Sequence, residues 1–370
     1  MHSPSLPRRL LLGSGPSNVH PRVLAAIAQP LIGQTDPNFV SLLDEVEERL
    51  CRLFGTRNSL TLPLSTSGAG GMEACLANLV EAGDEVVVGV TGVFGERISE
   101  FARRTGARVS EVTAEPGAAL DDAQIAEVIA RLRPAVVVLV HAETSTGVHQ
   151  PVERIAAVAR DHGALVVLDC VTSLGGLPVH LDDWGIDAAY SSTQRCLSCP
   201  PGLAPASFSE RAVERARNRR TPVQSWLLDI ARLTDRSEGE PIRRYSAPIS
   251  SIFALNEALQ LIEEEGMPTR AARHRAAADA LIEGLAELGF APLVAAPHRL
   301  PVLTAVRVPE TIRRTGEASL RRQLLDKYGI EISGGIGRLA GEIWRIGLMG
   351  ENARITTVEA LLCALRHELG

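Results

Sequence analysis

Three short runs of aliphatic residues set the fold class of this chain. Val86-Val87-Val88-Gly89-Val90, Ala135-Val136-Val137-Val138-Leu139-Val140 and Leu165-Val166-Val167-Leu168 carry no polar side chain. Amphipathic helical patterns over 94–105 and 152–162 separate them. A strand open to water on one face alternates apolar with polar residues, whereas a continuous apolar run is covered on both faces. Strands that alternate with helices need crossover connections, which makes the sheet mainly parallel. Open sheets of this kind bind ligands at the carboxyl ends of their strands. The segments that follow the three runs are therefore where functional groups are expected.

The last third reads differently. A helical pattern over 250–265 stops at Gly266, a C-cap signal. Helices over 269–288, 320–328 and 357–368 then surround strands over 302–308 and 343–347, which predicts a smaller α+β domain. At 370 residues the chain has room for both. The expected division is an N-terminal segment at 1–20, a large α/β domain at 21–255 and a small domain at 256–370. A net charge of −6 gives no electrostatic reason to expect nucleic acid or an anionic membrane. Six scattered cysteines read as isolated thiols of a reducing compartment. Cys196-x-x-Cys199 lacks a second pair at metal spacing, so no metal is expected. The N-terminal apolar run 10–12 is too short for a secretory signal, and a cytoplasmic protein is the simplest expectation.

Several segments carry chemistry. Asp169 closes the third apolar run. A carboxylate there can pair with a protonated ring nitrogen, or it can cap the following turn. Ser65-Thr66-Ser67-Gly68-Ala69-Gly70-Gly71 joins a strand over 59–64 to a helix. Free N–H groups at such a helix start attract anions, although tight turns need glycine for steric reasons too. Phe94 begins the helix after the first run, where it can stack on a ligand or simply fill the core. Arg345 lies inside the apolar strand Ile343-Trp344-Arg345-Ile346-Gly347. It is costly there unless paired, either with an acid of the protein or with a ligand carboxylate.

Tyr190-Ser191-Ser192-Thr193-Gln194-Arg195 followed by Cys199-Pro200-Pro201-Gly202 ties these segments together. With Asp169 one crossover upstream, it resembles the cofactor loop of the class V aminotransferases, the alanine–glyoxylate and serine–glyoxylate branch in particular. The resemblance runs from about 10 to 368. It implies the type I pyridoxal-phosphate-dependent transferase fold, with a mainly parallel sheet in a large domain and a small α+β C-terminal domain. It also implies a homodimer acting on amino acids and 2-oxo acids. By the same resemblance Ala69, Gly70, Gly71 and Gln194 meet the phosphate of pyridoxal 5′-phosphate. Phe94 and Val171 cover the two ring faces, Thr144 bonds the cofactor, and Asp169 holds the ring nitrogen. Ser246, beside Tyr245, reaches the partner's phosphate. Gly15, Pro16 and Ser17 lie beside the substrate, whose carboxylate Arg345 clamps.

One position departs at the reacting atom. The family has a lysine where this chain has Arg195, and that lysine bonds covalently to the cofactor and moves the substrate proton. A guanidinium, protonated up to a pKa above about 12, does neither. Lys327 is the only lysine in the chain, so a general bias toward arginine is one explanation of Arg195, although a catalytic lysine should resist such drift. Ser14, Gln34, Thr66 and Ala69 also differ from the usual residues. Three functions therefore stand open: an aminotransferase disabled at Arg195, whether by divergence or by an introduced change; a diverged protein that binds a cofactor or an amino-acid-like ligand; and an enzyme that uses Arg195 as a fixed cation for chemistry independent of lysine.

Overall fold

The computed structural model describes residues 6–233 and 247–370. In chain order its strands are β1 (Leu10–Leu12), β2 (Leu60–Leu64), β3 (Glu85–Val90), β4 (Arg108–Thr113) and β5 (Val136–Val140). They continue with β6 (Ala142–Glu143), β7 (Val148–His149), β8 (Leu165–Asp169), β9 (Ala188–Tyr190) and β10 (Ala204–Phe208). The last four are β11 (Ala291–Pro292), β12 (Leu303–Arg307), β13 (Ile330–Gly334) and β14 (Ile343–Gly347).

Seven strands make the large sheet in the order β2-β10-β9-β8-β5-β3-β4. The pairs β4–β3, β3–β5, β5–β8 and β8–β9 are parallel, and β10 runs against both of its neighbours. The three aliphatic runs supply β3, β5 and β8 at its centre. Their residues alternate between two cores, as the pleat requires. Val87, Val137, Val166 and Leu168 face one core, with the helices Pro37–Phe54 and Ile249–Glu265. Val86, Val88, Val136, Val138 and Val167 face the other, with the helices Gly68–Leu79 and Val93–Arg104. Both faces are dry, which is why the runs contain no polar alternation.

The second sheet has the order β1-β13-β14-β12-β11. Here β1 pairs in parallel with β13, Leu10 opposite Ile330 and Leu12 opposite Ile332, so the N-terminal segment completes the C-terminal sheet. Its core joins Leu12 and Trp344 to Leu281, Leu285, Leu361 and Leu365 of the helices Met267–Glu287 and Ile355–Leu369. Gly266, at φ 77°, caps the helix Ile249–Glu265 and begins the next one. No described helix is long and apolar enough to cross a membrane.

Candidate active site

The carboxyl ends of β3, β5, β8 and β9 and the loop before β10 converge on one region. Asp169 ends β8 and is 6% exposed. Its two oxygens accept from the Tyr190 hydroxyl at 2.7 Å and from the Val171 N–H at 2.8 Å. Burial pushes the carboxyl up to about 6, while these two bonds and the Arg195 charge act the other way. Sequence reasoning gave Tyr190 no role. The signal was its place at the end of β9, directly beside Asp169 in the parallel register.

Ser67 caps the helix Gly68–Leu79 by accepting from the Gly70 N–H. Among the described residues the N–H groups of Gly68 and Ala69 find no acceptor, as the first turn of a helix dictates. The Gly71 N–H is already bonded to the Ser67 carbonyl at 3.0 Å. Gly71 is instead a point of close approach, because a Cβ there would stand 3.1 Å from Tyr190 Cβ and Ala204 Cβ. A Cβ on Gly70 would stand 1.8 Å from Thr66 Oγ1, so this chain's threonine fills the space that glycine leaves. A Cβ on Gly68 would meet Val171 Cγ2 and Ser192 Cβ, which brings the helix start, the residue after Asp169 and the 190–196 loop together.

Phe94 and Val171 are both half-buried against one core. The helix Val93–Arg104 starts at Gly92 without a side-chain cap of its own. Its cap comes from the β6–β7 turn. Glu143, fully buried, accepts from the Phe94 N–H at 3.2 Å, and Ser145 Oγ accepts from the Val93 N–H at 2.9 Å. Ser145 in turn donates to Glu143 from its hydroxyl at 2.6 Å and its N–H at 2.9 Å. Burial raises the Glu143 pKa, and the Ser145 bonds oppose it. A carboxylate at a helix N-terminus is favourably placed. Glu143 thus fixes Phe94, a role that sequence reasoning missed.

The 192–198 loop carries orphaned polar atoms. Ser192 Oγ, Gln194 Oε1 and Arg195 Nε are buried without a hydrogen-bond partner. Among the described residues the Arg195 guanidinium makes no ion pair. It lies on Gly15 (φ 113°), where a Cβ would stand 1.7 Å from Nη1. Burial lowers its pKa, and the charges of Cys196 and Asp169 act against that. The Gly15–Pro16 peptide is cis. Ser17 is committed to the same loop: its hydroxyl donates to the Arg195 carbonyl at 2.7 Å and its N–H to the Gln194 carbonyl at 3.0 Å. The loop is also held from the far side. Buried Arg270 donates to the carbonyls of Cys196 and Gly175, both at 2.7 Å, and to Glu265. The Glu351 N–H donates to Ser198 Oγ at 2.8 Å.

Arg345, 6% exposed in β14, donates through Nε to the Gly334 carbonyl at 2.8 Å and through Nη1 to the Thr144 carbonyl at 3.2 Å. No carboxylate pairs with it among the described residues. Burial lowers its pKa, Glu143 opposing and Arg195 reinforcing the shift. Thr144 is itself buried. Gln34 accepts from the Ala247 N–H at 3.3 Å. Tyr245 and Ser246 lie outside the described residues. Among the described residues no cluster of three His, Cys, Asp or Glu is arranged for a metal, and Cys196 and Cys199 are free thiols.

Residues 10–343 match the family model described as aminotransferase class-V. The chain belongs to the class V aminotransferases. It is 39% identical to an alanine–glyoxylate aminotransferase of Oryctolagus cuniculus, over 98% of this chain and 93% of the relative. An (S)-ureidoglycine–glyoxylate transaminase of Bacillus subtilis is 36% identical over 98% of this chain and 92% of its own length. Among solved structures, an alanine–glyoxylate aminotransferase from Nostoc sp. superposes with a TM-score of 0.96 at 42% identity, covering 100% of this chain and 97% of that one. For a class V aminotransferase, pyridoxal phosphate is the implied cofactor, and the fold is the type I fold that the sequence led one to expect. The residues present suit that group. Ser192 Oγ, beside the helix start at Gly68, and Gln194 Oε1 are unpartnered buried polar atoms, the Gly68 and Ala69 N–H groups are free among the described residues, and Asp169 offers a buried carboxylate at a strand end.

Proposed function

We propose that this chain holds pyridoxal 5′-phosphate without a covalent bond and acts on amino acids and 2-oxo acids as an aminotransferase of strongly reduced rate. Alanine or serine is the first choice of donor, and glyoxylate or another 2-oxo acid the first choice of acceptor. Asp169 carries the reading. A buried carboxylate held by Tyr190 and Val171 has its natural counterpart in a protonated ring nitrogen. The Gly68–Gly71 turn with Ser192 and Gln194 would take the phosphate, and Phe94 and Val171 would cover the ring. Thr144 would bond its edge, and Arg345 would take the ligand's carboxylate.

When bound, pyridoxal phosphate supplies the electron-withdrawing ring that weakens the substrate's α-C–H bond. The chain's part is to bind, orient and exclude water. Arg345 fixes the carboxylate through its fork. Asp169 holds the ring nitrogen's charge. Arg195 stays protonated and accepts no proton. Lys327 cannot stand in for the missing amine, because it is paired with Glu368 on the helix Glu317–Tyr328. Loss of general acid–base help alone costs roughly 10²–10⁴-fold in rate. By the family pattern the working form is a homodimer, with Ser246 directed to the partner's phosphate.

A second reading, a ligand-binding member without amino transfer or one with lysine-independent chemistry, draws on the grouped departures Ser14, Gln34, Thr66, Ala69 and Arg195. It also draws on the fit of Arg195 onto Gly15. The test is an absorbance titration of the purified protein with pyridoxal phosphate, closed by L-alanine, on the wild type and on Arg195→Lys. A saturable band in both, with amino transfer gained in R195K, supports the first reading. Saturable binding with no gain in R195K supports the second. No saturable band in either overturns the cofactor reading.

A further inference from the structure

The hairpin of β6 and β7 is two residue pairs long, Ala142 opposite His149 and Glu143 opposite Val148. A two-stranded hairpin is marginal in water by itself. Yet three parts of the site lean on this one. Its Ser145 hydroxyl and Glu143 carboxylate accept from the Val93 and Phe94 N–H groups. Its Thr144 carbonyl accepts from Arg345. Its Gly147 carbonyl accepts from the Leu300 N–H at 3.0 Å, and a Cβ on Gly147 would stand 2.9 Å from Ala305 Cβ, so it also meets β12 of the second sheet.

At the open end of the hairpin His141 and His149 face each other, Nε2 to Nε2 at 3.1 Å, with ring centroids 5.0 Å apart. The Trp184 ring stands edge-on to His141 at 5.2 Å and is itself edge-on to His180. One Nε2 donates and the other accepts, so both rings are neutral; a further proton would set two N–H groups against each other. Burial favours the same state. It pushes His141 down to about 3, the His149 charge adding to the shift. It lowers His149 too, with Glu153 opposing and His298 and Arg275 adding. Those charges reach the pair from the helices Glu153–Asp161 and Met267–Glu287 and from the turn Ala296–His298. Glu143 and Asp169, both raised by burial, act in the opposite sense, because acid favours their buried form.

We propose that His141 and His149 are positioning residues, whose ring-to-ring hydrogen bond locks the 141–150 hairpin and thereby holds the start of the helix Val93–Arg104 and the carbonyl on which Arg345 rests. The lock needs no cofactor; its value to the reaction rests on the roles given to Phe94 and Arg345 in the function proposed above. Opening the hairpin solvates the rings and restores their ordinary titration. Acid therefore favours opening: the lock is complete above 6.5 and weakens as pH falls below it. From 6.5 to pH 5 is about 1.5 pH units, or roughly 30-fold in the opening equilibrium for His141 alone.

The test is amide hydrogen exchange at single-residue resolution on the full chain, at pH 8 and pH 5, corrected for the intrinsic effect of pH. The Gly147 and Gln150 N–H groups donate to Glu143 and His141 carbonyls within the hairpin, and those of Val93 and Phe94 donate to its side chains. All four should open as one group, roughly 30-fold more often at pH 5. In His149→Leu the group should exchange about fivefold faster at pH 8, the worth of one neutral hydrogen bond. His149→Gln, whose amide can still meet His141, should restore the wild-type rate. His141→Gln should keep the protection at pH 8 and lose most of the acceleration in acid. If H141Q melts early, the wild type and the two His149 variants decide. A wild-type rate that does not rise in acid, an H149L rate equal to the wild type, or Val93 and Phe94 exchanging independently of Gly147 and Gln150 overturns the proposal. The measurement uses no ligand, so the lock can fail while Arg345 still anchors a carboxylate, and it can stand if pyridoxal phosphate is never bound.

Discussion

Replacing Tyr190 by phenylalanine deletes one hydroxyl and keeps the ring that packs on Gly71. That hydroxyl donates to Asp169 at 2.7 Å, where both groups are buried. Folding raises the Asp169 pKa from an ordinary 3.8 to about 6, chiefly by burial. The folded chain thus holds a proton that the unfolded chain releases across that window, and stability falls as pH rises through it. The Tyr190 bond opposes this, because it favours the ionised form. A hydrogen bond to a charged group contributes about 1.5–3 kcal/mol and one to a neutral group about 1 kcal/mol. Tyr190→Phe should therefore raise the Asp169 pKa by about one further pH unit, at roughly 1.4 kcal/mol per unit. The cost should be about 1 kcal/mol at pH 5, where the acid is neutral either way, and about 2–3 kcal/mol at pH 8. Urea denaturation of both proteins without cofactor at pH 5, 6.5 and 8 reads the difference. A cost that stays flat across this range, or that is larger at pH 5, would refute Tyr190 as the group that keeps Asp169 charged.

Three further outcomes follow from contacts already described. Gly70→Ala drives a methyl into Thr66 Oγ1 and should cost about 1–3 kcal/mol by overpacking. The double variant T66G/G70A should recover most of it in a thermal melt, and a neutral single variant would refute the packing argument. Arg270→Ala strips two buried carbonyls and Glu265 of their partner and should cost about 3–5 kcal/mol in denaturant. Against burial, which pushes it up, bonds from Arg273 and Arg270 hold Glu265 at about 2. Its contribution is complete above the unfolded value near 4.5 and is lost as pH falls toward 2, so Glu265→Gln should destabilise most at neutral pH and least in acid.

The central strands were legible because both of their faces are dry, and a polar residue anywhere in 86–90, 136–140 or 165–168 would be stranded. Asp169 was legible for the complementary reason, as the first charge after such a run. β10 was not. Ala204–Phe208 follows a Pro-Pro-Gly turn with small residues, and only its pairing with β2 and β9 makes it a strand. β1 looked like three stray leucines because its partner lies more than 300 residues away. The helix Pro37–Phe54 had every local signal, Asp36 as cap, Pro37 in the first turn and Gly55 at φ 60° as its stop, and the sequence reading passed over it. In the site, single residues with unusual chemistry could be read, while Tyr190 and Glu143 could not, because each acts on a neighbour supplied by another strand or helix. Ser17 and Gly71 were read by resemblance alone, and the bonds they make within the chain, Ser17 to the Arg195 carbonyl and the Gly71 N–H to the Ser67 carbonyl, had no local signal.

The pairing of β1 with β13 has a consequence for the order of assembly. A chain emerging from the ribosome makes β1 long before β13, the strand it pairs with, exists. Until Ile330–Gly334 has been synthesised, the leucines at 10–12 have no sheet to join, and the 13–17 turn has no fixed position against Arg195. The large sheet can form vectorially, but the 13–17 turn is fixed only when β1 and β13 meet. Ligand binding is therefore a late event in the life of each molecule, and a chain stalled short of β13 would carry a formed sheet with an unfinished mouth.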